Sequence, residues 1–385
     1  MIKSINQPNT KFSLDFLWKL LLSLTLLFYG LSVASNVLIP LVFSLFIALL
    51  LNPIVAWLEK KGVASALAIL VSLILVSSIV SGGIFYVTVQ AKSLISDLPD
   101  LIGKLEKLVN NVANQLSELG LFSATEQVDL IKQNFDKILS SSGSFFTEAL
   151  SATSNFLTFF TLVPIYIFFF LLYRKNFKHF LALLGDRYKD PNLTQMAVEI
   201  KKMTFSYISG LLIVVSIIAV LNTAGLLILG IKYAIFMGIL SAVLTIIPYI
   251  GIFIGASLPI IVALITKDSL FYPLGVAGIY AFVQFVEGNF ITPNVVGSKV
   301  DVNPLAAIVA LIIGGQVWGI IGMILAIPLC GIMRIVFSHY EPLKPYALLL
   351  QSSSNAHTED EAVQNIKKKK LFKRKSKSQA PKEED

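Results

Sequence analysis

The sequence predicts an all-α, polytopic membrane protein of about eight transmembrane helices, some broken or re-entrant, with an extracytoplasmic amphipathic helical insert. Two observations carry this prediction. Hydrophobic residues make up 55% of the 385 residues and charged residues only 14%, whereas soluble domains carry about 25% charged residues. The mean hydropathy is +0.77. Apolar stretches of roughly 20 residues, the length of one helical crossing, recur along most of the chain.

Residues 1–90 form the first predicted domain, with spans at 14–31, 37–58 and 63–89. Lys60, Lys61 and Gly62 follow the second span, where cations and a glycine favour the end of a helix. Residues 91–150 differ in kind, because they carry five lysines and eight acidic residues.

The apolar positions of this insert recur at spacings of three and four between Leu94 and Leu119, which indicates an amphipathic helix outside the membrane. A second, shorter helix is predicted from Glu126 to Leu139. Two interpretations stay open. The insert packs against itself or the membrane surface, or its apolar stripe joins subunits into a homo-oligomer.

Residues 151–340 hold spans four to eight, predicted at 156–173, 207–229, 233–265, 270–290 and within 304–338. The sixth is too long for one straight crossing and contains Pro248 and Pro259, so it is either a kinked helix or a hairpin. Residues 341–385 are a basic, predicted disordered tail, with eight basic residues between Lys367 and Lys377.

Basic residues set the predicted orientation, because they collect on the cytoplasmic side. Eight crossings with both termini in the cytoplasm place the turn at 59–61, the basic loop 174–203 and the tail inside. The net-negative insert then lies outside. The tail is expected to contact anionic lipid, and no nucleic-acid partner is expected.

Polar residues inside apolar spans are costly, so their clusters indicate function. The densest cluster comprises five candidates for an ion or substrate path, which are Gln284, Glu287, Asn289, Thr292 and Pro293. Glu287 is the leading ion or proton site, and the alternative is a structural role, either as a helix cap at the membrane interface or through hydrogen bonds to its neighbours. Gln284 and Glu287 share one face of a helix that Gly288 and Pro293 are expected to break.

A second interruption at Pro248, Tyr249 and Gly251 predicts unwound carbonyls that line the same path, or else a plain packing kink. Gly315, Gly319 and Gly322 predict close helix packing. Asn222 is interpreted as an interhelical hydrogen-bond partner.

Enzymatic templates are absent from the sequence, which contains no HExxH, GxSxG or Walker motif. Its one cysteine, Cys330, permits no intramolecular disulfide and no cysteine-based zinc cluster. We therefore expect no enzyme, no bound metal and no cofactor. Any active transport would use an ion gradient, of protons or sodium, or a partner protein, because no ATP-binding loop is present.

Several segments together resemble the autoinducer-2 exporter (AI-2E) family of bacterial permeases. The resemblance rests on seven segments, which are 40–53, 58–62, 247–251, 287–297, 303–305, 314–322 and 326–329. It implies a multi-pass transporter of the bacterial inner membrane that forms oligomers. Members are assigned to efflux of a small signalling molecule or to exchange of sodium or lithium for protons. Arg174 and Ile252 depart from the expected pattern, because relatives often carry an acidic residue after span four and a smaller residue or proline after the glycine.

The predicted function is therefore a secondary transporter that exports a small polar solute or exchanges a monovalent cation for protons. The alternative is an oligomeric membrane scaffold or an ion-conducting pore without coupled transport.

Overall fold

The computed structural model describes residues 14–118, 153–188, 192–248, 250–267, 269–297 and 300–352, and all regular structure within these ranges is helical. Two π-helical turns, π1 (Glu287–Ile291) and π2 (Pro293–Gly297), follow α9. A 3-10 turn (Glu341–Leu343) precedes α11. The α-helices are α1 (Leu14–Val33), α2 (Ser35–Lys60), α3 (Ser65–Glu118), α4 (Thr153–Leu172), α5 (Arg174–Tyr188), α6 (Asn192–Ile228), α7 (Ala234–Leu244), α8 (Ile250–Thr266), α9 (Phe271–Val286), α10 (Pro304–His339) and α11 (Lys344–Leu350).

In this part of the chain, six helices are long and apolar enough to cross a membrane, or up to seven if a bent pair counts as one span. Large apolar side chains remain exposed along them; Ile74, Phe85 and Phe253 are 65%, 72% and 78% exposed. Such surfaces are stable in lipid and not in water. The all-α, multi-pass architecture predicted from the sequence is confirmed.

The predicted boundary at residue 90 lies inside one continuous helix. Helix α3 begins at Ser65 and ends at Glu118, so the third span and the start of the insert share an axis. The sequence shows a change from apolar to amphipathic composition, but nothing there interrupts the helical hydrogen bonds. The second insert helix, predicted from Glu126 to Leu139, lies outside the described residues.

The end of α2 contacts the start of α5 through an ion pair between Glu59 and Arg174. Helix α5 then bends away from α4 by 59°. It carries Arg174, Lys175 and Lys178 on its first turns, too many charges for a crossing. Arg174, the departure from the family pattern, therefore has a structural partner.

Helices α7 and α8 form an antiparallel hairpin, here named hairpin 1. A Cβ placed on Gly255 would lie 2.9 Å from Ser241 Cβ, and one on Gly251 would overlap the Leu244 carbonyl. In a continuous helix, residues 241 and 255 would be about 21 Å apart. The structure thus decides between the two interpretations of 233–265, in favour of the hairpin.

The base of hairpin 1 is fastened to α3. Asp97 pairs with Lys232 and accepts a hydrogen bond of 2.5 Å from the Tyr233 hydroxyl. The bonds to Asp97 raise the pKa of both Lys232 and Tyr233. Tyr233 has a φ of 62°, rare for a residue with a large side chain. Beneath this contact, Leu94 packs in a buried cluster with residues of hairpin 1, including Ala234 and Val262.

Helix α10 is also a hairpin, here named hairpin 2, and not the single eighth span expected from the sequence. Trp318 (φ −130°, ψ 17°) and Gly319 (φ 60°, ψ −142°) reverse the chain. The two arms then meet where Gly314 and Gly322 bring their backbones together. Gly319 was expected to pack against a helix, and this is wrong. Nothing lies within 4 Å of its Cβ position, and its φ is one that glycine alone adopts readily.

The two hairpins enter from opposite ends of α6. Leu226, near the end of α6, packs with the base of hairpin 1. Met203, near its start, packs with Val300 and Ile335 at the base of hairpin 2. Each hairpin returns to its own side, so the two add no net crossing. Eight sequential crossings would make span seven parallel to α6, whereas here it runs antiparallel to α6.

The first residues of the predicted disordered tail are ordered. Helix α11 ends at Leu350, whose carbonyl accepts a hydrogen bond of 2.8 Å from the backbone N–H of Asn303. Asn303 Oδ1 also accepts a bond from Ala306 N–H at 2.7 Å, which caps α10. The tail therefore begins docked against hairpin 2. Residues from 353 onwards lie outside the described part of the chain.

Candidate functional site

The segment after α9 stays helical where the sequence predicted a break. Residues 287–297 form the two π-turns, with the Thr292 backbone N–H bonded to the Glu287 carbonyl. In an α-helix, side chains five residues apart point about 140° away from each other. The wider π-turn brings Thr292 over Glu287, and such turns occur frequently at functional sites.

The Glu287 carboxylate is held by two neutral donors. Gln284 Nε2 donates to Oε2 at 2.5 Å, and Thr292 Oγ1 donates to Oε1 at 2.6 Å. No described residue forms an ion pair with Glu287, and its side chain is half-buried. A carboxylate at this depth is costly unless it is paired, protonated or hydrated. The two donors fix its position and leave its charge without a protein counter-ion among the described residues.

Glu287 and Gln284 line a cavity of ≈ 20 Å³, about the space of one water molecule. Its walls come from α6, hairpin 1, α9 and π1. The cavity lies between the clusters at the two ends of α6, so it sits at intermediate depth. Its lining residues are Ile218, Asn222, Ser241, Thr245, Ile252, Gly255, Tyr280, Val283, Gln284 and Glu287.

Three polar residues of the cavity wall form a hydrogen-bonded network. Asn222 Nδ2 donates to Ser241 Oγ at 3.2 Å, and Ser241 Oγ and the Tyr280 hydroxyl lie 2.9 Å apart. Asn222 and Ser241 are each 2% exposed. Among the described residues, Asn222 Oδ1 is buried and has no hydrogen-bond partner.

Sequence reasoning identified Asn222 as a hydrogen-bond partner but did not include it, Ser241 or Tyr280 in the site. Their only signal was a polar residue within an apolar helix, and such residues are common.

The remaining predicted path residues that the structure describes do not line this cavity. Asn289 is exposed, and its Nδ2 donates to the Phe285 carbonyl at 2.8 Å. Pro293 is exposed at the start of π2. Pro248 and Gly251 lie at the tip of hairpin 1, beside Thr245 and Ile252 of the wall, and Tyr249 lies outside the described residues.

The two interruptions identified in the sequence therefore meet in space. Thr245, before the Pro248 break, and Glu287 are 42 positions apart in the chain but line one cavity. Of the described lining residues, Glu287 is the one acidic side chain, and none is basic. The wall can thus neutralise one positive charge and accept several hydrogen bonds.

Comparison with known proteins identifies one family. The family model described as AI-2E family transporter matches residues 21–341. YrrI of Bacillus subtilis, named as a transport protein, is 27% identical over 319 residues, covering 80% of this chain and 88% of the relative. YueF of the same organism is 28% identical over 79% of this chain and 84% of its own length. The AI-2 transport protein TqsA of Escherichia coli is 24% identical over 85% of this chain and 93% of the relative.

Proposed function

Because this chain belongs to the AI-2E family of transporters, we propose that it is a secondary transporter with its translocation path through the cavity at Glu287. It would export a small polar solute or exchange a monovalent cation for protons. One observation carries the proposal. The Glu287 carboxylate, which has no counter-ion among the described residues, lines the same cavity as the interrupted backbone of hairpin 1. Discontinuous helices at intermediate membrane depth are where secondary transporters bind substrates and coupling ions.

Alternating access would come from the two hairpins. Hairpin 1 supplies Ser241 and Thr245 to the cavity and enters from the side of Asp97. Hairpin 2 enters from the opposite side. Movement of one hairpin would open the cavity to one side of the membrane while the other hairpin kept the opposite side closed.

The location that we propose is the bacterial inner membrane, with both termini in the cytoplasm. The basic loop and the pair Lys60 and Lys61 share the side of hairpin 2's base, which the positive-inside rule assigns to the cytoplasm. The insert would then face outward. We also propose a homo-oligomer within the lipid bilayer, assembled through the apolar stripe of the insert.

Proteoliposomes with an imposed sodium or proton gradient test the transport proposal. We expect the wild type to exchange ²²Na⁺ for protons and Glu287→Gln to lose this flux, since the amide cannot balance a positive charge. Glu341→Gln is the matched control, because Glu341 is an exposed carboxylate paired with Lys344 on α11. Equal flux in wild type and Glu287→Gln would remove Glu287 from the mechanism. A wild type that moves no sodium would exclude cation exchange and leave solute export.

A further inference from the structure

We infer that the cavity contains a binding site for one small monovalent cation, coordinated by Asn222 Oδ1 together with Glu287. The transport role of this site rests on the proposed function, but its existence does not. The site would also include the hydroxyl oxygens of Thr245 and Tyr280, which line the same cavity.

The first argument is the state of Asn222. A buried amide oxygen without a partner costs free energy, and native proteins rarely leave one unsatisfied. Its own amide nitrogen is committed to Ser241, which fixes the side chain against the cavity. The oxygen thus remains available to a ligand, and a positively charged ligand would bind it more strongly than a neutral one.

The second argument is the direction of the surrounding hydrogen bonds. The Ser241 hydroxyl donates to the Met237 carbonyl at 2.7 Å, and the Thr245 hydroxyl donates to the Ala242 carbonyl at 2.7 Å. Because Ser241 has used its proton, Tyr280 must donate to Ser241. The Thr245 and Tyr280 protons are therefore committed to the Ala242 carbonyl and to Ser241 Oγ, so the Thr245 and Tyr280 oxygens keep lone pairs for a ligand. Ser241 Oγ already accepts from Asn222 Nδ2 and Tyr280, so it holds the network in place and is not itself a ligand. Such a wall favours a cation.

The third argument is charge. Among the described lining residues there is one carboxylate and no cationic side chain, so the wall carries at most one negative charge. One monovalent cation balances it, whereas a divalent ion would leave a positive charge in the membrane. The lining offers oxygen atoms without histidine or cysteine, a set that suits hard cations. The cavity volume of ≈ 20 Å³ admits one such particle.

The ligands of this site would come from separate structural elements. Asn222 belongs to α6, Thr245 to hairpin 1, Tyr280 to α9 and Glu287 to π1. A cation bound between them would hold hairpin 1 against the helices on either side, which links occupancy of the site to the position of the hairpin.

Equilibrium binding of ²²Na⁺ to the full chain in lipid nanodiscs, in sodium-free N-methylglucamine buffer, tests this inference. We expect saturable binding of one Na⁺ per chain. Asn222→Ala should weaken it roughly tenfold or more, the loss of one bond to a charged group. Ser216→Ala is the control, because Ser216 is exposed on the same helix and its hydroxyl donates to the Leu212 carbonyl one turn earlier. Its affinity should equal that of the wild type.

Absence of saturable binding in the wild type would overturn the inference and assign the cavity to a neutral water. Unchanged affinity in Asn222→Ala would also overturn it. If that variant fails to fold, Glu287→Gln decides, and unchanged affinity there is equally contrary. Binding is measured without a gradient, so a missing sodium site leaves solute export possible. Intact sodium binding without any transport would count against the proposed function alone.

Discussion

Gly251→Ala tests the hairpin fold of residues 234–266 most directly. A Cβ at Gly251 would overlap the carbonyl oxygen and carbon of Leu244 and lie 3.0 Å from the Thr245 nitrogen. These are backbone atoms that cannot rotate away, so the tip of the hairpin would have to open. Inserting a methyl group into a packed site typically costs about 1–3 kcal/mol, and we expect the upper part of that range.

The expected result is a fall of a few degrees in Tm, measured by intrinsic fluorescence in detergent. Gly278→Ala is the matched control, because Gly278 lies in α9 with nothing within 4 Å of its Cβ position. There alanine should hold or raise Tm, since it is the better helix former by about 1 kcal/mol.

The two folds considered for this segment predict opposite signs. In a single kinked helix, Gly251 and Leu244 would be about 10 Å apart along the axis, and alanine at position 251 would stabilise the helix. A Tm for Gly251→Ala equal to or above that of Gly278→Ala would therefore refute the hairpin.

Three further predictions follow from the same contacts. Asp301→Asn should cost about 1–3 kcal/mol of stability by chemical unfolding, because it leaves Arg334, 16% exposed and 3.3 Å away, without its charge partner. Asparagine tolerates the φ of 50° at this position, so a loss of stability would report the missing charge and not backbone strain. Glu341→Gln, which removes the charge from the exposed pair with Lys344, should show no loss of stability. Gly319→Ala should cost about 1–3 kcal/mol through the backbone of hairpin 2, and a Tm like that of Gly278→Ala would argue against that turn. Thr292→Val should lower transport, because it removes one hydrogen-bond donor to Glu287, whereas Thr292→Ser keeps the donor and should keep the flux. Equal flux in these two variants would exclude a positioning role for the hydroxyl.

The positions of polar residues could be read from the sequence, but not their partners. Gln284 and Glu287 are three residues apart, so their contact follows from helical geometry alone. Thr292 contacts Glu287 only because the segment adopts π-turns, which no local sequence pattern predicted. Asn222 and Ser241 could not be assigned to the site, since each is an ordinary polar residue until hairpin 1 and α9 pack against α6 and place it in the same cavity wall as Glu287.

The sequence by itself determined that this protein is helical, spans a membrane many times and carries costly polar groups near positions 248 and 287. Span length and hydropathy are local properties, so a stretch of roughly 20 residues contains the whole signal. Only the tertiary structure decided that spans six and eight are hairpins and that the two interruptions share one cavity. A helix that crosses and a helix that turns back bury similar apolar surface, and the choice depends on glycine contacts such as Gly255 with Ser241 and Gly314 with Gly322.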